Sequence, residues 1–418
     1  MPIPQPAVAP AAGAAPSAAT NSMPATLVVL VLALLLGIQP VTTDLYLPAL
    51  PALTDAFGAS VAQAQLTLTT LLLAFGTSQL VWGPLSDRFG RRPILLIGLG
   101  AYTVASLGCA LAPSIAVLIA LRIVQGAAMG AAVMGARAIV RDLYTPEAGA
   151  RAMSKGLTGL GVIACTCAPM GGLISDVFGW RFALAAPATF GAFAFTLVAL
   201  RFKESVPRKN PDALRAATLV NTWLMIVRHP GFITYSALST ASYAGLFTFL
   251  SSSSFIFIKM LGLSRTQYGL VMFASAFIYI LGTFWCRRLL PRFGVRRSVA
   301  LAAVLTLTGG TLLGVLALAG IHTTWSVLGP FLLYMFAHGV HQPCGQSGAV
   351  APFPQAAGAA SALNGFIMMV AAFGVGAWMG TRLDGTVFPL ANGVWFWSAC
   401  IAVTAFTLVQ RYGDPRQA

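Results

Sequence analysis

Residues 83–93 read Gly-Pro-Leu-Ser-Asp-Arg-Phe-Gly-Arg-Arg-Pro, one acid and three arginines between two long uncharged runs. The stretch 66–82 before it has no charged side chain, and neither has 93–121 after it. Charges concentrated between apolar runs of this length call for a tight turn at a membrane surface. Gly83 and Gly90 suit such a turn, because glycine tolerates backbone angles other residues avoid.

The whole chain has the same character. Hydrophobic residues make up 57% and charged residues 8% of it, and its mean hydropathy is +0.82. Soluble domains carry about 25% charge, so the expectation is an integral membrane protein. A helix needs about 20 apolar residues to cross the bilayer, and 418 residues leave room for about a dozen. Hydropathy marks twelve segments: 26–46, 61–82, 93–111, 115–136, 153–175, 181–200, 231–253, 267–286, 298–320, 325–348, 358–380 and 388–410. The six cysteines fall within or at the edges of apolar runs, which favours neither a disulfide framework nor a zinc site. No metal is expected.

The net charge of +15 would suit nucleic acid, but its distribution argues otherwise. With both termini placed in the cytoplasm, 20 of the 25 basic residues fall on the cytoplasmic side. Only Arg181, Lys259, Arg265 and Arg382 fall on the other, and Arg122 lies inside a span. The bias is a positive-inside signal, so the charge sets topology and no nucleic-acid partner is expected. The partners expected are a small-molecule substrate, protons and the lipid bilayer, with the chain a monomer.

The longest polar stretch, 201–230, divides six spans from six. The expected organisation is a disordered cytoplasmic tail at 1–24, a six-helix bundle at 25–200, a cytoplasmic linker at 201–230, a second bundle at 231–410 and a short tail at 411–418. Residues 1–24 are Ala/Pro-rich without a basic start, unlike a signal peptide. The charged turn recurs in the second half: Arg88-Phe89-Gly90 answers to Arg292-Phe293-Gly294. Duplicated six-span bundles place a substrate between the halves and work by rocking one against the other.

The chain therefore resembles the major facilitator superfamily. Gly83, Leu85, Asp87, Arg88, Gly90, Arg91 and Arg92 match its loop signature, G-x-L-x-D-R-x-G-R-R/K. Arg122-Ile123-Val124-Gln125-Gly126 resembles the fourth-span motif of proton-coupled members. Thr43-Asp44-Leu45-Tyr46-Leu47-Pro48 and the Ser251–Ser254 run are similar to the bicyclomycin-resistance (Bcr/CflA) type of drug:proton antiporter. The resemblance spans 25–410. It implies an all-α membrane protein with 12 transmembrane helices in two bundles, and a cytoplasmic gate formed by Gly83, Asp87, Arg88, Gly90, Arg91, Arg92 and Asp142. In that gate Asp87 would face the start of span eleven near 357–360, and Arg91 or Arg92 would pair with Asp142. Two features depart from the pattern. Ala168-Pro169-Met170-Gly171-Gly172 is one residue tighter than the antiporter motif, and Pro291 replaces the acid in the second copy of the loop.

The residues expected to bind proton or substrate are Asp44, Arg122, Gln125, His338 and His341. Asp44 lies about 27 Å into span one and Arg122 about 10 Å into span four, which runs the opposite way. Both therefore share the outer half of the membrane, where an isolated charge needs a partner or a wet cavity. Asp44 would carry the proton, with Arg122 beside it tuning its affinity; alternatively, Asp44 caps the helix and Arg122 bonds backbone carbonyls. Tyr334, His338, His341 and Gln342 share one face of span ten. The two histidines either line the cavity or are hydrogen-bonded between helices.

No nucleotide-binding loop is present, so no cofactor is expected and the energy source is the proton gradient. The leading expectation is proton-coupled efflux of small hydrophobic antimicrobials from the cytoplasm of a bacterium, through its inner membrane, and not an enzyme. The competing readings are a proton-coupled transporter of a metabolite such as an amino acid or nucleoside, and a receptor or scaffold that transports nothing.

Overall fold

Backbone placed in hydrocarbon must satisfy its own N–H and C=O groups, and this chain does so in helices, with no β-strand among the described residues. The computed structural model describes residues 23–206, 209–211 and 213–413. The expected tail 1–24 lies outside these except for its last two residues, as do 207–208 and 212 of the linker and most of the final tail.

Among the described residues, twelve long helices follow one another. They are α1 (Ala25–Thr43), α2 (Val61–Phe89), α3 (Arg91–Leu111), α4 (Ile115–Leu143), α5 (Pro146–Val177), α6 (Trp180–Arg201) and α7 (Pro230–Ser254). The continuous stretch Arg265–Leu318 breaks at Gly294 (φ 68°, ψ 177°) into α8 (265–293) and α9 (295–318). Then come α10 (Thr324–Val350), α11 (Ala357–Arg382) and α12 (Phe388–Phe406). Among the described residues, ten segments are long and apolar enough to cross a membrane, with Arg265–Leu318 taken as one. The long helix outside that set is α10, which is diluted by its polar residues 334–342.

The charged turn is tighter than the sequence suggests. α2 runs on through Pro84 to Phe89 and α3 begins at Arg91, so only Gly90 (φ 112°, ψ 160°) is non-helical. The second copy behaves alike, with Gly294 as the single break. Both positive φ values fall where L side chains are strained. The helices leading into the two breaks also start alike. Ser60 and Gln63 form a capping box at α2, and Ser264 and Gln267 form another at α8.

Among α1–α6, α2 packs on α4, α4 on α3, α3 on α6 and α1 on α5; among the last six, α7 contacts α10, α11 and α12. The two sets meet chiefly where α2 lies along α11 and α5 along α8. Small residues permit the second contact: a Cβ on Gly172 would stand 2.3 Å from the Arg265 carbonyl oxygen, and one on Gly269 2.7 Å from that of Ala168. The linker is not simply polar. It contains a helix, Ala216–Arg228, which the sequence reading did not anticipate and which touches α7 and α11.

Candidate functional site

The site is organised by the two sides of α1. Pro40 lies inside this helix near its end, and Asp44 caps it with its N–H on the Pro40 carbonyl at 2.8 Å. Residues 38 and 42 follow one another at helical spacing along one side, while 43 and 44 turn about 100° and 200° away from 42. Gln39 lies beside Tyr243 of α7, and the Thr43 hydroxyl donates to Asp44 Oδ1 at 2.8 Å. Cys165 and Cys167 of α5, Tyr243 of α7 and Tyr268 of α8 all lie within electrostatic range of the Asp44 carboxylate. Half-buried Asp44 thus faces the seam between the first six helices and the last six.

Arg122 is on the other side of α1. Its side chain is 1% exposed, and its guanidinium carbon stands 4.1 Å over the Tyr46 ring. Nη1 donates to Gln125 Oε1 at 2.9 Å and to the Thr42 carbonyl at 3.4 Å. Gln125 donates in turn to Ser106 Oγ at 2.7 Å, Tyr102 shares a 2.6 Å bond with Thr42 Oγ1, and Tyr46 shares one with Thr67. No ion pair joins Arg122 to Asp44. Equal depth does not bring the two together, because positions 42 and 44 differ by about 200° around the helix. The guanidinium therefore rests on an aromatic face, an amide and a carbonyl, and its Nε and Nη2 have no hydrogen-bond partner. An arginine held this way in a membrane protein is costly.

The span-ten pair is packed between helices. His338 Nδ1 shares a 2.7 Å bond with Ser242 of α7, and His341 Nε2 a 3.3 Å bond with Thr306 of α9. Tyr334 donates to the Ser242 carbonyl at 2.8 Å, and Gln342 reaches Met368 Sδ at 3.8 Å. The face common to these residues turns inward among α7, α9 and α11, and both rings are hydrogen-bonded to a neighbouring helix.

At the face bearing the 83–93 turn, which is also the linker's face, Arg91 is 2% exposed and meets Asp142 at 2.7 Å, Asp87 at 2.7 Å and Ser86 at 2.7 Å. Arg141 approaches Asp87 at 3.4 Å. Asp87 is thus engaged by arginines of the first half, and its carboxylate accepts no hydrogen bond from the start of α11. The cross-half connection runs through α4 instead: Arg137 Nη1 donates to Ser361 Oγ of α11 at 2.7 Å, and Arg141 Nη1 lies 3.3 Å from where a Cβ on Gly358 would be. Arg88 is exposed beside Phe89. Arg92 spends its side chain on the Ala199 carbonyl at 2.8 Å.

Sequence reasoning missed Glu204. Its carboxylate accepts the N–H groups of Arg91 (2.8 Å), Arg92 (3.1 Å), Ser205 (3.0 Å) and Val206 (3.1 Å), capping α3 from the linker. A side chain at Gly90 would collide with it, a Cβ falling 2.6 Å from Oε2. It also missed the far face, where Asp176 of α5 accepts from Thr266 N (2.9 Å) and Oγ1 (2.7 Å) and meets Arg265 at 3.4 Å. There Asp55 also pairs with Lys259 at 2.5 Å. The signal was present: four of the five bonded groups are opposite charges at span ends on one face.

Comparison with known proteins accords with this architecture. A family model described as Major Facilitator Superfamily matches residues 32–377. A chloramphenicol resistance protein of Pseudomonas aeruginosa is 29% identical over 321 residues, 77% of this chain and 75% of that protein. A bicyclomycin resistance protein homolog of Haemophilus influenzae is 27% identical over 378 residues, 90% of this chain and 94% of that protein. Among solved structures, the partially occluded inward-open xylose transporter XylE of E. coli superposes with a TM-score of 0.73 at 14% identity, covering 94% of this chain and 99% of that one.

Proposed function

The chain belongs to the Major Facilitator Superfamily, a family of transporters, and on that premise we propose that it expels small hydrophobic antimicrobial compounds in exchange for protons. The observation that carries the reading is Asp44, a carboxylate within a membrane-spanning bundle, set at the seam where the first six helices meet α7 and α8. A proton taken from one side and released to the other needs a group that each access state exposes in turn, and a seam residue is so placed. One charge crossing 100 mV supplies about 2.3 kcal/mol, or roughly fifty-fold accumulation. No bound cofactor is required.

In this scheme the bundles at 25–200 and 231–410 rock about the seam, with 201–230 as the cytoplasmic linker and both termini in the cytoplasm. The arginine–aspartate cluster at 87, 91, 141 and 142, with the Arg137–Ser361 bond, closes the cytoplasmic end. Asp176 with Thr266 and Arg265 closes the other. Arg122 and Gln125 hold the inner wall of the first bundle beside α1. The protein works as a monomer in a bacterial inner membrane.

A susceptibility panel that includes chloramphenicol, on cells with and without the gene and with a protonophore control, tests this reading. Protonophore-sensitive resistance to at least one compound is expected. Unchanged susceptibility across the panel, with uptake of an amino acid or nucleoside instead, would overturn it in favour of a metabolite transporter.

A further inference from the structure

On the outer wall of the last six helices a groove of about 400 Å³ runs between α7, α11 and α12, lined by Val227, Phe232, Ser236, Thr240, Trp397 and Thr404 among others. Ile233 and Val403 beside it are 48% and 63% exposed, so it opens onto the membrane and not into the seam. Of its three hydroxyls, that of Thr404 donates to the Cys400 carbonyl at 2.8 Å, whereas those of Ser236 and Thr240 make no bond, as is also true of Ser254 at the far end of α7. Elsewhere on α7, Thr248 and Ser252 donate back to helix carbonyls, Ser242 bonds His338 and Ser253 bonds Tyr268. Ser236 Oγ and Thr240 Oγ1 are buried and have no hydrogen-bond partner. A buried hydroxyl without a partner is unfavourable, and a site for a ligand with acceptor atoms relieves it.

Depth identifies the ligand. The helical stretch Pro230–Met260 has 31 residues, about 46 Å, against a hydrocarbon core of about 30 Å. Some 8 Å therefore projects at each end, and Ser236, about 9 Å from Pro230, stands at the hydrocarbon boundary where lipid esters lie. Thr240 is one turn deeper. Arg228 follows Val227 at the groove's mouth and ends the helix Ala216–Arg228, whose Val220, Leu224 and Met225 are exposed. This is the pattern of a helix lying in a membrane interface.

The geometry points to a phospholipid site: an acyl chain of a lipid in the linker-side leaflet fills the groove, Ser236 and Thr240 donate to its ester carbonyls, and Arg228 meets its phosphate. The site needs no assumption about what is transported.

The full chain in nanodiscs containing a phosphatidylethanolamine with a diazirine in one acyl chain tests it. After irradiation, peptides holding 232–241 and 397–404 are expected to be labelled about tenfold above a peptide holding 273–284, where Phe273, Phe277 and Phe284 are also exposed. Ala237→Trp, which fills the groove, should bring that excess to background, and Ser236→Ala with Thr240→Val should lower it at least threefold. Even labelling of all these peptides, or excess labelling unaffected by the hydroxyl-free variant at a wild-type gel-filtration profile, overturns the proposal. The hydroxyl-free variant decides alone if Ala237→Trp does not fold.

Discussion

Asp142→Asn should cost the folded protein about 3 kcal/mol. Arg91 is 2% exposed and divides its guanidinium between Asp142, itself 7% exposed, and Asp87, which is 39% exposed. Breaking a buried ion pair by removing one partner costs about 3–5 kcal/mol, because the remaining charge stays desolvated. The lower end applies, since Asp87 stays at 2.7 Å to share the load. Asp87→Asn removes the wetter partner and should cost about 1 kcal/mol, near the range for exposed pairs. Denaturant titration in mixed micelles measures both. Raising the salt should change the Asp142→Asn cost little, since burial limits screening. A loss below about 0.5 kcal/mol, or a larger loss for Asp87→Asn, would refute the assignment of Arg91 to Asp142 as its main partner.

Glu204→Gln keeps the shape of the α3 cap but removes its charge, so amide exchange at Arg91 and Arg92 should rise about tenfold, equivalent to about 1.4 kcal/mol; unchanged exchange would show that the cap is idle. Asp176→Ala removes two hydrogen bonds and an ion pair between α5 and α8, whereas Lys259→Ala removes one pair whose members are 43% and 66% exposed. Efflux from proteoliposomes should fall severalfold for Asp176→Ala and stay within about twofold for Lys259→Ala, as exposed pairs contribute about 0–1 kcal/mol; equal effects would contradict this ranking. The double variant His338→Ala, His341→Ala should lose stability yet keep a wild-type pH profile of transport, because both rings are bonded between helices; an altered profile would return them to the proton path.

The helices were readable because hydrocarbon leaves the backbone no alternative: the expected segment 61–82 and the helix Val61–Phe89 differ only where the amphipathic end continues past the apolar run. The match between Gly90 and Gly294 was also visible, since two single glycines carry two sharp breaks. What the sequence did not yield was direction around a helix. Depth along α1 placed Asp44 level with Arg122, but only the packing of α1 against α3, α4, α5 and α7 shows which side each occupies. Asp87 was likewise aimed at α11 when Arg91, four residues on in the same turn, is the nearer cation. Glu204 was hidden because its partners are backbone amides 112 and 113 residues away.

Asp44 and Arg122 meet no closer than through consecutive residues of α1, Thr43 and Thr42. Thr42 gives its carbonyl to Arg122 and its hydroxyl to Tyr102, while the next residue, Thr43, donates to Asp44. A change of charge at Asp44 alters how strongly Thr43 is held, and a shift or rotation at that turn of α1 moves the Thr42 carbonyl against the guanidinium. Asp44→Asn should therefore abolish transport driven by a pH gradient while the protein still reaches the membrane. Arg122→Lys keeps the charge but loses the planar stack on Tyr46 and the Nη1 bonds to Gln125 and Thr42, so it should slow that transport about tenfold or more. If α1 joins the two, downhill substrate exchange, which needs no proton, should show non-additivity: the double variant should be no slower than the worse single one. Multiplying effects would mean that the two sides of α1 act independently, and full pH-driven transport by Asp44→Asn would remove the carboxylate from the proton's route altogether.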